Sequence, residues 1–419
     1  MNETALSELA GWVTEAGLIG RTETELMTGF CRRLAKAGVP LARGLVILDT
    51  LHPIYEGRAF RWRSDMPEGA EAVDYGRTNE GEAAENWRNS PFFHLLQSGE
   101  TAMRRCLAAG DPADFPAIAQ ARDEGATDFL VLVNRFAAEG VIGEMDCVYS
   151  AWSSDAADGF GENAVGALKQ LAPFLKLAIK SAALARMAGT LAETYLGRDP
   201  GRRVMSGRIV RGVAEKIGAV LWESDLHGYT HISDNAPPEQ IIPLLNDYAD
   251  VVISAVHGHG GDVLKLVGDG ILAIFTTENR QEACLAALAA AAQVRKEAAK
   301  LNQNRNQASL PTTAVYLALH VGDVFYGNIG SKDRLDFTVI GPAVNEVSRI
   351  LAMSRSVEQD LLLSSSFADA LGPEMRSRLV SVGRYALRGV AQPQELFTPE
   401  PDFHIALPAS LKPVTPGVA

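Results

Sequence analysis

Cysteine is scarce in this chain: Cys31, Cys106, Cys147 and Cys284 are the four in 419 residues, with no C-x-x-C pair and no spacing that suits a metal. That excludes a disulfide framework and points to a reducing compartment, so a cytoplasmic protein is expected. Long apolar runs are lacking too. The most apolar stretch, LAALAAAA from Leu285, is flanked by charge and reads as part of an amphipathic helix, well short of the ~20 residues that a membrane span needs. The N-terminus, MNETALSELAGW, has no basic region leading into an apolar one, so no secretory leader is expected. Positive charge is not in excess either: the net charge of −12 does not indicate a nucleic-acid-binding surface. What is present is an ordinary globular composition, 47% hydrophobic and 21% charged, over a length that holds about two domains.

Against that background two acidic residues stand out. Gly218 to Trp222 is an apolar run of strand length that gives way to charge and then Gly228, which places Asp225 where a strand ends. Val263 to Val267 and Ile271 to Phe275 are apolar stretches separated by Gly268-Asp269-Gly270, the composition of a tight hairpin turn. Taken singly, Asp269 could stabilise its own turn and Asp225 could cap the following helix. Together, two carboxylates on neighbouring strand ends are a way to hold divalent cations against a triphosphate, because magnesium and manganese prefer oxygen ligands.

From Lys216 to Phe397 the chain resembles the catalytic domain of class III adenylate and guanylate cyclases. The pieces that carry the resemblance occur in order: SDLHGYT, PPEQIIPLLNDYADVVISAV, HGGDVLKLVGDGILAIF, ALHVGDVFYGNIGS, RLDFTVIGPAVNEVSRI and ALRGVAQPQELF. The resemblance implies a ferredoxin-like βαββαβ core, with Asp225, Asp269 and the Leu226 carbonyl holding two magnesium or manganese ions. The backbone at Gly228, Tyr229 and Thr230 precedes a helix, so its N–H groups could cradle phosphate oxygens, and the resemblance implies that Lys265 and Thr338 contact the base. A Lys and a Thr at these two base-contacting positions resemble a subgroup of adenylate cyclases, so ATP is the expected substrate. Asn345 and Arg349, four apart and therefore on one helix face, match the residues that orient the ribose and stabilise phosphate charge; Arg388 sits where a cation often reaches the triphosphate. Since the family builds its sites between two such domains and this chain holds both half-sets, a homodimer through the catalytic and linker regions is expected.

Three positions depart from the pattern. Glu223 stands where the family usually has Phe and, two residues from Asp225 on a strand, shares its face; it is either an added outer ligand or a disturbance of the metal site. His227 and Tyr229 replace the common Arg and Phe. An alternative therefore stays open, a catalytically silent nucleotide-binding signalling protein of the same fold. A diguanylate cyclase is disfavoured, because the hairpin reads VGDGI and no GG[DE]EF turn occurs.

The first half shows no catalytic pattern. It reads as a helix over Glu23 to Ala37, strands over Leu41 to Leu51 and Gly57 to Arg63, then a polar stretch. Next come a helix and an extended segment in Ser90 to Arg105, a helix near Phe115, strands in Ala126 to Phe136 and Glu144 to Trp152, and a long helix after Phe160. The order is similar to a GAF domain, with a PAS-like domain as the near alternative, and implies a sensory or dimerisation role with an unknown small-molecule or protein signal. His52 and His94 are candidate haem or metal ligands, and Cys106 and Cys147 candidate chromophore or redox sites. Leu168, Leu171, Leu175, Ala178, Ala182, Ala185 and Leu191 fall near heptad spacing and predict a helical dimer seam, kinked at Pro173. Arg198 to Gly212, rich in glycine and positive charge, reads as linker. The fold class expected overall is α+β: a GAF-like domain over 1–160, a helical transmitter over 161–215, the cyclase domain over 216–400 and a flexible tail over 401–419.

Overall fold

Helix α1 (Glu3–Leu18) and α2 (Glu23–Lys36) open the N-terminal unit, Met1–Leu191. Thr22 starts α2 with a reciprocal capping box: its hydroxyl accepts from the Glu25 N–H while the Glu25 carboxylate accepts from the Thr22 N–H. The computed structural model describes residues 1–136, 142–143, 145–276, 278–390 and 392–400. The tail expected over 401–419 and the Glu144 start of one expected strand lie outside them.

After α2 come β1 (Arg43–Asp49), β2 (Gly57–Arg63), β3 (Glu71–Tyr75), α3 (Gly81–Arg88), α4 (Pro91–Ser98), β4 (Ala102–Arg105), α5 (Pro116–Asp123), β5 (Asp128–Arg135), β6 (Cys147–Ser154) and α6 (Glu162–Leu196). The six strands form one antiparallel sheet in the order β3-β2-β1-β6-β5-β4. Alternate side chains go to opposite faces. Val46, Phe60, Leu130 and Trp152 pack with α1, α2 and α6, whereas Val131, Cys147 and Tyr149 pack with Phe92 and Leu95 of α4 and Ile118 of α5. The expected strands and helices of this half are all present among the described residues; α1, β3 and α3 are additional.

The heptad seam needs correction. Leu168, Leu171, Leu175 and Ala178 are buried in the core of their own unit, so they cannot face a second chain. The outward side of α6 instead carries Phe174 and Leu177, 42% and 68% exposed, with Ser181, Ala185 and Ala188 following on the exposed face. A helix apolar on two sides gives the same spacing on both, and only packing tells them apart. Pro173 lies within α6, which runs on past it as one helix. The chemistry expected of Cys147 and of His94 is also revised. Cys147 is buried and its thiol is pushed far above its usual range, chiefly by burial, so the reactive thiolate is suppressed. His94 is exposed, with its ring edge-on to Phe115, which is no setting for a buried cofactor ligand.

The second unit, Ala192–Ala419, begins inside α6. Within the segment read as a basic, glycine-rich part of the helical linker, α7 (Arg198–Met205) forms. Pro200 sits in its first turn, where the absent N–H costs nothing, and the Asp199 carboxylate accepts from Arg203 and from the Tyr326 hydroxyl. Then follow β7 (Ala214–Leu226), α8 (Tyr229–Asn235), α9 (Pro238–Gly258), β8 (Asp262–Val267), β9 (Gly270–Phe275), α10 (Arg280–Gln307), β10 (Val315–Gly330), β11 (Leu335–Ile340), α11 (Pro342–Val357), β12 (Leu361–Ser364), α12 (Ser365–Ala370), α13 (Pro373–Arg376), β13 (Leu379–Tyr385) and β14 (Gln394–Pro399).

Strand order β10-β7-β9-β8, reached through α9 and α10, is the antiparallel βαββαβ arrangement expected from the sequence. Strands β12, β14 and β13 extend it beyond β10, and β11 pairs with the outer half of β10. Trp222, Tyr248 and the small residues of α10 fill one face; Leu221, Leu272, Val347 and Ile350 fill the other, beneath α11. Helix α10 is less amphipathic than expected: Ala283, Cys284, and every residue from Ala286 to Ala291 are buried, because alanines let α9, the sheet and α12 approach it on several sides.

Candidate active site

Strand β7 alternates, with Trp222 turned toward α9 and α10 and Leu221 toward α11, so Glu223 and Asp225 are placed on the α11 side. The hairpin joining β8 to β9 carries Asp269 up to the end of β7. Gly270 makes that approach possible: a Cβ there would lie 2.8 Å from the Ser224 carbonyl oxygen. Gly268 adopts φ +64° in the same turn. The Asp269 carboxylate accepts from the Leu226 N–H at 3.2 Å and is a hydrogen-bonding neighbour of Asp225. Burial first, and then the adjacent Asp269 carboxylate, raises Asp225 above the ordinary carboxylate range.

Two carboxylates pressed together with no ion-pairing cation among the described residues suit a divalent cation, whose charge would relieve their repulsion. No group of three or more His, Cys, Asp or Glu side chains forms a metal cage among the described residues. Further ligands must then be backbone oxygen, water or substrate, as magnesium accepts readily.

Gly228, at φ +68°, precedes the first turn of α8, where the N–H groups of Tyr229 and Thr230 have no helical partner. Lys265, on β8, pairs through Nζ with Asp336 Oδ2 of β11 at 3.2 Å. Thr338 lies two residues further along β11, only 4% exposed, and its hydroxyl has no hydrogen-bond partner among the described residues. Asp336 was not anticipated; its place beside Lys265 depends on β11 folding back along β10.

Asn345 and Arg349 lie on α11 as expected, Asn345 exposed and Arg349 half-buried. The Arg349 guanidinium rests against Gly389, 3.3 Å from where a Cβ would stand, which brings it to the loop of Arg388. No hydrogen bond or ion pair joins the Asp225 and Asp269 pair to Asn345 or Arg349 among the described residues. Between β7 and α11 lies a cavity of about 420 Å3 lined by Glu223, Asp225, Ser348, Ala352 and Arg355. Ser348 donates to the Glu223 carboxylate, and burial raises Glu223 above its usual range. Arg355, also unanticipated, acts on Asp225 in the opposite sense, lowering it. Arg355 lies ten positions beyond Asn345 on the same helix, among several other polar residues, so no local signal singled it out.

Residues 215–398 match the adenylate and guanylate cyclase catalytic domain. The C-terminal unit therefore carries a nucleotide cyclase domain. An uncharacterized protein of Mycobacterium tuberculosis is 34% identical over 212 residues, which is 48% of this chain and 37% of that protein. An adenylate cyclase of Anabaena cylindrica is 34% identical over 159 residues, 37% of this chain and 31% of that protein. The chain thus spans about a third of the length of the curated relatives it matches. Among solved structures, the adenylyl cyclase CyaB from P. aeruginosa is covered completely by 46% of this chain, at 22% identity and a TM-score of 0.41. No helix among the described residues is long and apolar enough to cross a membrane.

Proposed function

We propose that the protein is an adenylate cyclase that converts ATP to 3′,5′-cyclic AMP and pyrophosphate, regulated by a GAF-like N-terminal domain. The observation that carries this reading is the carboxylate pair at the strand end and hairpin turn, Asp225 and Asp269, which forms no ion pair among the described residues. Asp225 and Asp269, with the Leu226 carbonyl, hold two magnesium or manganese ions. When bound, these supply a more acidic ribose 3′-hydroxyl and a neutralised triphosphate. Lys265 donates to an adenine ring nitrogen, and the unpartnered Thr338 hydroxyl gains a partner on the base edge. Asn345 orients the ribose. Arg349, with Arg388 beside it, places positive charge at the phosphates, and the backbone N–H groups from Gly228 to Thr230 donate to phosphate oxygens. As the 3′-oxygen bonds to the α-phosphorus, the bond from that phosphorus to the bridging oxygen breaks and pyrophosphate leaves with the electron pair.

A homodimer completes the site in this reading, because among the described residues no hydrogen bond or ion pair joins Asn345 or Arg349 to the carboxylate pair, although α11 itself borders β7 through Ser348 and Arg355. The exposed face of α6 through Phe174 and Leu177 is the linker surface available to that dimer. Glu223 is engaged by Ser348 and so does not crowd the carboxylates, which favours an active enzyme over a silent binder. The deciding experiment is product analysis of the full chain with ATP, and separately GTP, in magnesium and in manganese. Cyclic AMP from ATP is expected. ATP binding without cyclic product would select the silent reading. Mixing Asp225→Ala chains with Arg349→Ala chains should restore one composite site per heterodimer; no recovery would rule out shared sites.

A further inference from the structure

The loop from Thr50 to Glu56, which joins β1 to β2, and the segment after β3 enclose a cavity of about 230 Å3 in the N-terminal unit. Its polar lining is mainly donor. His52 Nδ1 accepts from the backbone N–H groups of Ile54 and Tyr55, at 3.2 and 3.3 Å, so the ring proton sits on Nε2. A histidine fixed in that tautomer offers an N–H and has no lone pair left for iron or another metal, which replaces the ligand role expected for His52. Arg77 and Asn79 are exposed side chains on the opposite wall. The Thr50 hydroxyl is buried with no partner among the described residues, a cost that a bound acceptor would remove. The lining carboxylate, Glu56, is already spent on the Thr78 N–H and hydroxyl. Around these donors stand apolar groups in the open: Leu51, Ile54 and Tyr55 are 37%, 69% and 38% exposed.

We propose that this cavity binds a small organic carboxylate. The Arg77 fork takes the carboxylate oxygens, with His52 Nε2–H and the Asn79 amide beside it, and the ligand's apolar body lies against Leu51, Ile54 and Tyr55. The loop that forms the site is also tied to the exit helix: the Leu51 N–H donates to Met187 Sδ at 3.1 Å, on α6. Ordering the loop around a ligand therefore acts on the helix that leads out of the unit, and the regulatory meaning of this rests on the cyclase reading above.

Titration calorimetry of the full chain tests the site, with benzoate as the probe, inorganic phosphate as a second arm and chloride at matched ionic strength as the blank. Benzoate is expected to saturate one site per chain, to weaken at least tenfold in Arg77→Gln and in His52→Gln, and to bind Asp269→Ala as it binds the parent. Phosphate, which lacks the apolar body, is expected to bind at least tenfold more weakly. No saturable benzoate binding, binding unchanged in Arg77→Gln, or phosphate binding as tight as benzoate would each overturn the proposal. Because the readout needs no turnover, a chain that makes no cyclic AMP yet binds benzoate would fail the cyclase reading alone.

Discussion

Two acidic sites, one in each unit, treat charge in opposite ways. In the N-terminal unit Asp128 is fully buried and matched: it accepts from Arg104 at 2.8 Å and from the Phe160 N–H at 2.9 Å. Lys176, 2% exposed, donates to the Leu132 carbonyl and the Asn134 side chain. These groups fasten β5 to the start of α6 and α6 to the sheet. In the C-terminal unit Asp225 and Asp269 face each other, and Thr338 keeps a buried hydroxyl with nothing to bond among the described residues. Polar groups that are matched inside the chain build the architecture, and those left unmatched mark where something else must bind.

Breaking the unmatched pair should have the largest effect. Asp269→Ala is expected to lower cyclic AMP formation by on the order of a thousandfold or more, since several kcal/mol of charge stabilisation is lost, while circular dichroism stays that of the parent. Retained turnover would remove the two-carboxylate assignment. Breaking the matched pair should cost folding instead. Asp128→Ala should lower the urea stability of the N-terminal unit by about 2–4 kcal/mol, because it strands Arg104 and the Phe160 N–H; a change under about 0.5 kcal/mol would contradict the structural role.

Substrate choice comes next in size. Lys265→Glu should shift the ratio of ATP to GTP turnover by roughly tenfold or more toward GTP, because a carboxylate accepts from the guanine edge where an ammonium would oppose it. An unchanged ratio would sink the base-reading role. The smallest effect is a pH slope. Burial depresses the Lys176 ammonium to about 7, so between there and the ordinary lysine value the unfolded chain binds more protons than the folded one. Stability of the N-terminal unit should therefore rise with pH from about 7 upward, the penalty being fully present below 7. Lys176→Met should flatten that rise in urea midpoints measured from about pH 6.5 to 9.5, and equal slopes for both proteins would refute it.

The candidate residues were legible as candidates because local chemistry marks them. A Gly-Asp-Gly between two apolar runs is a hairpin wherever it falls, and Asn345 and Arg349 share a face on any helix. The βαββαβ core was implied by the resemblance, and the alternation of strand and helix is consistent with it. Other features carried no local mark. β3 is almost wholly exposed, so EAVDY shows no buried-and-exposed alternation to betray it. The segment holding Pro200 reads as glycine-rich linker, and only the structure shows its proline in the first turn of a short helix. Helix α6 shows apolar spacing on two sides, and the sequence cannot say which side belongs to its own core.

The amino-acid sequence by itself determined which side chains could hold cations and phosphates, since residue type and spacing fix donor and acceptor chemistry along a strand, turn or helix. Tertiary structure alone decided which of them meet. Strand pairing brought Asp269 to Asp225 and Asp336 to Lys265, side-chain packing over the sheet gave Glu223 to Ser348, and the folding of a loop fixed the His52 proton on Nε2. Such contacts join residues from 2 to 125 positions apart, and the longer ones arise only when the buried faces of separate elements are satisfied together.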